Sequence, residues 1–399
     1  MTGYGFPRSR LVHSEPFGPF EIRHHEPDYL GGGRRGVAHP LLIDKYLLAL
    51  NNSFGMFIRY FNRPSPKTPI IVNIFNTADI MAGANGGFSY LDQGDVPTIC
   101  LPCGSGNTPN QLELDEAEAE VLHEMTHVFN WSARPPQLSS SQAWLWLDEA
   151  LAILVEHKYG AGPQLFHQGM THAYSLDNAH AGEFAALFAS FLEFESAQGL
   201  ESIFRMWDLD TFAQHPTEII GEDIFLSCFH RFAKSIFFRP TIFHGAFARA
   251  LHRMAPEVLE LTADAPNLIC TGTLDHLTFR SFDCRIGIEM ATCVEIRLVA
   301  YEQKWDRLMA SAIPVCAGKD QQIEAGLEHR LFGDDSSDME TLKIPLQDLA
   351  GEPVLRIAIV ISNCGTRGDE DLLCDGTPST QVYKEHDDAV GFELRLAAT

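Results

Sequence analysis

The chain has 399 residues, of which 45% are hydrophobic and 21% charged, and its formal net charge is −24. This length suits two or three domains rather than one small core, and the composition is that of an ordinary folded protein. The acidic balance argues against non-specific binding to nucleic acid or to acidic membranes, because both require basic patches.

Hydrophobic stretches of the chain are all short. None approaches the roughly 20 residues that a membrane span requires, so no transmembrane segment is expected. The first ten residues are not followed by an apolar stretch, and no ordinary signal peptide is expected. These features favour a cytoplasmic location or export by a non-classical route, and they leave the oligomeric state open.

The first part of the chain predicts a small sheet and one helix. Its β-branched runs are bounded by Pro, Gly and polar residues, as strands are, and one longer stretch has helical spacing. We predict a short strand at 20–23, a helix over 40–62, a buried strand over 69–75 and a strand pair at 88–91 and 97–101. Cys100-Leu-Pro-Cys103 ends this pair, and no second C-x-x-C is present to complete a Cys₄ zinc site. Structural thiols or a local disulfide are therefore expected there.

The most informative motif lies between Leu122 and Asn130, which reads Leu-His-Glu-Met-Thr-His-Val-Phe-Asn. His123 and His127 are four residues apart on a predicted helix that begins near 114–116, so both imidazoles leave the same face. Two neutral imidazoles so placed can share one Zn²⁺, and Glu124 then lies where it can reach a water at the metal.

A second predicted helix, over 141–159, supplies a third ligand. Glu149 falls among its apolar positions, where burying a lone carboxylate is costly. A metal removes that cost, because two histidines, one glutamate and a water complete a catalytic zinc site. A partly exposed Glu149, or a buried ion pair, is the alternative without a metal, and the neighbouring Asp148 is the rival ligand.

Together these two segments resemble the gluzincin class of zinc metallopeptidases. His123-Glu-Met-Thr-His127 followed by Trp-Leu-Asp-Glu149-Ala-Leu-Ala152 is similar to the class pattern, in which the third ligand is a Glu on the next helix. The likeness of motifs covers roughly 88–192. It implies one zinc per chain, a peptide or protein substrate, and Glu124 as general base and acid. The layout is most similar to poorly characterised microbial gluzincins with a β-sandwich after the catalytic unit.

The oxyanion-stabilising residue is less well defined. Gluzincins often use a Tyr or His from a helix after the Glu ligand, and the stretch 178–192 resembles that helix, although Ala179 stands where the Tyr would fall. His180 and Tyr174 are the nearest candidates. A residue satisfied locally near a helix start is the alternative for each. The tryptophans Trp131, Trp144 and Trp146 are expected in the core or at an interface rather than in a substrate subsite.

The chain changes character after 256–266. Alternating apolar and polar residues predict strands at 277–280, 293–301, 341–345, 354–361 and 391–396. The expected fold is therefore α+β: a zincin-like catalytic unit over 1–139, a helical subdomain over 140–258 that carries Glu149, and an antiparallel β-sandwich over 267–399. The expected function is a zinc-dependent metallopeptidase, slightly favoured as an endopeptidase. The alternatives are a zinc-stabilised binding protein without catalysis and a zinc hydrolase that acts on a non-peptide bond.

Overall fold

The computed structural model divides the chain into two compact units. The first comprises Met1–Ser140, Leu147–His167 and Ala185–Phe212, and the second comprises Ser141–Trp146, Gln168–Phe184 and Ala213–Thr399. The structure describes residues 13–24, 40–76, 87–92, 95–103, 111–133, 145–160, 182–195, 204, 222–238, 243, 251–274, 278–301, 308–317, 323–325, 329–332, 341–347, 353–364 and 390–399. The predicted division into 1–139, 140–258 and 267–399 stays a prediction.

A mixed five-stranded sheet underlies the first unit. Its strands are β1 (His13–Phe17), β2 (Phe20–His24), β3 (Ile70–Asn76), β4 (Phe88–Asp92) and β5 (Val96–Cys103), in the spatial order β1-β2-β3-β5-β4. Strands β2, β3 and β5 run parallel, while β1 and β4 are antiparallel to their neighbours. The parallel centre is buried, with Ile70, Val72 and Ile99 inaccessible to water, as parallel strands require. Strand β4 therefore forms one edge of the described sheet.

Helices bury their apolar sides in the first unit. They are α1 (Pro40–Arg59), α2 (Gln111–Ala133), and all but the first residues of α3 (Leu145–Tyr159) and α4 (Gly182–Glu195), whose residues 145–146 and 182–184 belong to the second unit. Helix α1 packs on α2 through Phe57 and Phe129, whose rings stack with centroids 4.6 Å apart. Tyr46 of α1 also donates a hydrogen bond to the carbonyl of Pro102 on β5, over 2.6 Å. The stacked rings attach α2, which carries both predicted histidine ligands, to α1, and the bond of Tyr46 attaches α1 to the sheet.

The second unit contains helix α5 (Glu222–Phe238) and two sheets. One sheet has the order β11-β10-β14-β8-β6 with β12 beside β10, and the other has the order β13-β9-β15-β7. The strands are β6 (Glu257–Thr262), β7 (Asn267–Leu274), β8 (Thr278–Gly287), β9 (Cys293–Ala300), β10 (Leu308–Ala317), β11 (Ile323–Ala325), β12 (His329–Phe332), β13 (Leu342–Pro345), β14 (Val354–Asn363) and β15 (Val390–Ala398). Both sheets contribute to one buried cluster, with Phe282 from the first and Phe392 from the second.

Helix α5 is attached to the larger sheet by a buried histidine. His230 makes hydrogen bonds through both ring nitrogens, 2.9 Å to the hydroxyl of Ser362 and 2.8 Å to that of Ser311. These serines lie on the paired strands β14 and β10. A buried imidazole with both nitrogens satisfied avoids the cost of an unpaired polar group. The role of His230 is accordingly structural.

The α+β class is confirmed, and the predicted strands and helices in the described ranges are present. Six of the described strands are additional: β1, β6, β7, β10, β11 and β12. Strand β6 follows Pro256 directly, in the region where the chain changes character. Strand β10 contains Pro314 and three alanines, which weaken a strand signal. Within the described residues, no helix is both long enough and apolar enough to cross a membrane.

Candidate metal centre

The two histidines of the motif lie side by side on α2. Their separation of four residues is about one helical turn, and their ring centroids are 5.0 Å apart. His127 is buried, while 18% of the His123 side chain is exposed. The apolar neighbours Met125 and Val128 point into the core, which holds this part of the helix in place. Both imidazoles therefore face the same region beside the helix.

Glu149 of α3 reaches that same region. Its Oε2 is 3.6 Å from His123 Nε2, and its Oε1 is 3.8 Å from His127 Nε2. One ligand atom from each of the three residues lies within 4.8 Å of the others. In the described part of the chain, this is the one group of at least three His, Cys, Asp or Glu residues close enough to hold a metal ion. The structure thus brings together all three ligands that were predicted from the sequence.

The opposite nitrogens of both rings are held by carboxylates of α3. His123 Nδ1 lies 2.9 Å from Glu156 Oε2, and His127 Nδ1 lies 2.8 Å from Asp148 Oδ2. A carboxylate can only accept, so each Nδ1 carries the proton in these bonds. In the neutral imidazole this leaves each Nε2 with a lone pair directed towards Glu149. Such carboxylate–histidine pairs orient the ligands of metal sites.

Asp148, the rival ligand, lies instead at the Nδ1 side of His127, away from the ligand cluster. Its carboxylate accepts hydrogen bonds from His127, from Asn130 Nδ2 over 2.8 Å and from Trp131 Nε1 over 3.0 Å. Three donors use both of its oxygens, and Asp148 is almost fully buried. It supports His127 and does not point at the ligand cluster.

Glu156 was missed by the sequence reasoning. It lies seven residues after Glu149, or about two helical turns, so both side chains project from the same side of α3. That spacing was the available signal. An acidic residue two turns from a proposed ligand is common on helix surfaces, however, and only the packing of α3 on α2 shows that it meets His123.

The cluster favours positive charge at its centre. Burial by itself lowers the pKa of His123 and His127, but the surrounding carboxylates outweigh burial. The pKa of His123 is held well above its ordinary value by Glu149 and Glu156, and that of His127 is raised to about 9 by Asp148 and Glu149. Burial raises the pKa of Glu149, yet both histidines outweigh this effect and lower it to about 2. Without a metal, protons supply the positive charge that these carboxylates attract.

Glu124 lies beside the histidines but is held by different groups. Only 4% of it is exposed. Its Oε2 accepts a hydrogen bond of 2.7 Å from the hydroxyl of Ser89 on β4. Burial raises the pKa of Glu124, against the influence of the two histidines. A buried carboxylate with a raised pKa is a better proton acceptor than an exposed one, which suits a general base.

A second carboxylate, partly buried, lies one turn before Glu124. Glu120 Oε1 accepts the backbone N–H of Gly87, and Glu120 Oε2 lies 3.2 Å from the hydroxyl of Tyr46. Burial raises the pKa of Glu120 to about 7. The hydroxyl of Tyr46 donates to the carbonyl of Pro102 over 2.6 Å and to Glu120 Oε2 over 3.2 Å. This donation and that of Gly87 lower the pKa of Glu120, but burial outweighs them.

The other sequence predictions divide into two groups. His180 and Tyr174, and the side chains of Trp144 and Trp146, lie outside the described residues. Trp131 is buried and stacks on His127 with ring centroids 5.6 Å apart, so it packs within the core. Cys100 is a buried free thiol, which agrees with a structural role.

The donor set fits zinc. Two imidazole nitrogens and one carboxylate oxygen are a ligand set of catalytic zinc sites, which leave a further position open. Several features of the cluster fit the same metal: the exposed third of Glu149 (35% of its side chain), the carboxylates behind both rings and the demand for positive charge. Calcium and magnesium prefer all-oxygen ligands and would not select two histidines.

The comparisons with known proteins do not extend this picture. No protein-family model and no curated protein matches the chain. Among solved structures, the chain is similar to the periplasmic g-type lysozyme inhibitors PliG of Aeromonas hydrophila and of Salmonella Typhimurium. The identities are 10% and 8% and the TM-scores are 0.20 and 0.16, and each match covers 36% of this chain and 100% of the other. Scores this low carry no argument about the function of this chain.

Proposed function

We propose that the chain is a zinc-dependent metallopeptidase of the gluzincin type, with His123, His127 and Glu149 as the ligands. One observation carries the proposal. The three ligand atoms converge within 4.8 Å, while Asp148 and Glu156 bind the other nitrogen of each histidine. In metal sites the histidine ligands typically donate their second ring N–H to a carboxylate, and both imidazoles do so here.

Glu124 supplies the acid–base chemistry in this proposal. The chemistry that zinc contributes when bound is Lewis acidity towards the scissile carbonyl and the attacking water. Glu124 removes one proton from that water as it attacks the carbonyl carbon, and later delivers the proton to the leaving amine as the C–N bond breaks. Its burial keeps bulk water from competing for the proton. A site that only stabilised the fold would not need such a base.

The substrate is proposed to be an extended peptide alongside β4. In gluzincins an edge strand of the first sheet pairs with the substrate, and β4 is an edge strand here and contributes Ser89 next to Glu124. Backbone hydrogen bonds to a free strand edge bind peptides with little dependence on sequence. We further propose that the first unit is zincin-like, that the two sheets of the second form a β-sandwich, and that an endopeptidase is slightly favoured. His180 and Tyr174 remain the proposed oxyanion donors.

The test compares zinc-loaded wild type with Glu124→Gln on a mixed peptide library, with products read by mass spectrometry. Glu124→Gln is nearly isosteric, so zinc should stay at about one per chain while hydrolysis falls roughly 10²- to 10⁴-fold. Glu118→Gln is the matched control, because it makes the same change on α2 in a partly exposed residue, and it should retain activity.

The other outcomes separate the alternatives. Full turnover by Glu124→Gln contradicts the proposed mechanism. A wild type that holds zinc but cleaves no peptide overturns the peptidase proposal. In that case, cleavage of ester or other non-peptide substrates would assign a zinc hydrolase of another class. Absence of all hydrolysis would leave a zinc-stabilised binding protein.

A further inference from the structure

Strand β4 contacts α2 at two carboxylates that lie one helical turn apart. The backbone N–H of Gly87, just before the strand, donates to Glu120 over 2.5 Å. Two residues further, the hydroxyl of Ser89 donates to Glu124 over 2.7 Å. The backbone N–H of Gly87 and the side-chain hydroxyl of Ser89 are spaced closely enough to one turn of the helix for both bonds to form.

Gly87 has little room for a side chain. A Cβ at this position would lie 3.1 Å from the carbonyl oxygen of Cys100 and 3.2 Å from Glu120 Cγ. The close approach of β4 to α2 is therefore fixed on one side by Glu120 and on the other by the pairing of Ser89 with Ile99 on β5. Ser89 is held by its pairing with β5 on one side and by the adjoining contact of Gly87 with Glu120, so its hydroxyl has a defined position relative to Glu124.

The hydroxyl of Ser89 has one proton and two acceptors within reach. Oε2 of Glu124 lies at 2.7 Å and the main-chain oxygen of Glu124 at 3.2 Å. The shorter contact, to a charged acceptor, is the stronger one. No hydrogen bond among the described residues uses Oε1 of Glu124. One oxygen of this carboxylate is thus anchored, and the other is left for a different partner.

We propose that Ser89 is a positioning residue for Glu124: it holds Oε2 so that Oε1 is presented to the attacking water. The inference rests on the proposed peptidase function and deepens it. A carboxylate that can rotate about its terminal torsion samples many orientations. Restricting it to one raises the fraction of time in which proton transfer can occur. Ser89 itself exchanges no proton with the substrate.

The experiment measures kcat and KM for wild type, Ser89→Ala and Ser89→Thr, with zinc content and thermal unfolding recorded for each. Ser89→Ala should lower kcat roughly 10- to 100-fold with KM within about twofold, and zinc should stay at about one per chain. Ser89→Thr keeps the hydroxyl on a β-branched residue that suits a strand, so it should recover most of kcat. Ser132→Ala is the matched control, because its hydroxyl bonds the Val128 carbonyl on the same helix.

Crystal structures of wild type and Ser89→Ala give a readout that does not depend on activity. The Glu124 carboxylate should have one orientation in wild type and two or more in the variant. An unchanged kcat, an unchanged carboxylate, or a Ser89→Thr variant as slow as Ser89→Ala overturns the role of Ser89 while wild-type hydrolysis still supports the peptidase. A zinc-loaded wild type that cleaves no peptide overturns the proposed function itself.

Discussion

His127 and Asp148 form a buried pair in which the imidazole Nδ1–H donates to Asp148 Oδ2 over 2.8 Å. The two residues are 21 positions apart and come from different helices, α2 and α3. Because Asp148 occupies Nδ1, the lone pair of the neutral ring lies on Nε2, which faces Glu149 at 3.8 Å. The pair therefore determines which nitrogen of His127 can bind a metal.

Replacing Asp148 should weaken zinc binding without abolishing it. Asp148→Asn replaces one acceptor oxygen by an N–H₂ donor. At least one of the three hydrogen bonds to Asp148 is therefore lost, and His127 loses its fixed orientation. Loss of such a partner typically costs 10- to 100-fold in metal affinity, and we expect a loss of about that size. Competition with a chromophoric chelator measures it. Asp264→Asn, at an exposed turn, is the control, and an unchanged affinity in Asp148→Asn would contradict the assigned role.

Zinc binding should release protons at neutral pH. The pKa of His127 is raised to about 9 by Asp148 and Glu149, so its ring is protonated in the metal-free protein at pH 7. The neighbouring carboxylates also raise the pKa of His123. A metal binds only the neutral imidazole. We expect at least about one proton released per zinc, measured by calorimetry in buffers of different ionisation enthalpy. His127→Ala should release about one fewer, and release near zero in wild type would overturn the prediction.

The same shift affects the stability of the metal-free protein. For His127 the folded pKa of about 9 exceeds the ordinary 6.5, so its stabilising contribution is complete below pH 6.5 and is lost as the pH rises through 9. Zinc replaces the proton, so the zinc-loaded protein should not show this loss. Thermal unfolding at pH 6 and pH 9.5, with zinc and with a chelator, checks the difference. An equal loss in both forms would contradict the ion-pair cause.

Glu120 should make the protein less stable at higher pH, in contrast to an ordinary surface carboxyl. Its folded pKa of about 7 lies above the ordinary 4.5, so the folded state binds the extra proton and stability falls as the pH rises from 4.5 through 7. Glu120→Gln keeps an acceptor oxygen for the N–H of Gly87 and removes the group that ionises. It should be more stable than wild type above pH 7, by on the order of 1 kcal/mol, and similar below pH 4.5.

Urea unfolding of the metal-free proteins at pH 5 and pH 8 measures this difference. Glu118→Gln controls for the loss of one charge on α2. The prediction is wrong if Glu120→Gln is less stable than wild type at pH 8, since that result would mean the charged carboxylate is the stabilising form.

Gly160, directly after α3, should not tolerate a side chain. A Cβ there would lie 2.5 Å from the Glu156 carbonyl oxygen and 2.9 Å from Ala119 Cα. Both are backbone contacts, the first within α3 and the second to α2. Gly160→Ala must therefore distort the end of α3 and move it away from α2, at a cost of about 1–3 kcal/mol in unfolding free energy. Gly287→Ala is the control, since its nearest contact is an ordinary 3.4 Å. Denaturant unfolding distinguishes them, and equal losses would contradict the steric cause.

The amino-acid sequence alone was sufficient for features that depend on local spacing. His123 and His127 share a face because four residues nearly complete a helical turn, and the apolar residues around Glu149 marked it as a carboxylate that needed a partner. The strands 293–301, 354–361 and 391–396 were predicted because alternation has a period of two residues. Strand β10 was missed because its alanines and Pro314 do not produce that pattern.

Only the tertiary structure decided the partners. Asp148 adjoins Glu149 in the chain, yet it bonds His127 Nδ1 instead of joining the ligand cluster. Glu156 supports His123, and Ser89 anchors Glu124 from a strand 35 residues away. These contacts depend on how α3 and β4 pack against α2. Helical and strand periodicity define which face a side chain lies on, but the neighbour of that face is set by long-range packing, which no local spacing encodes.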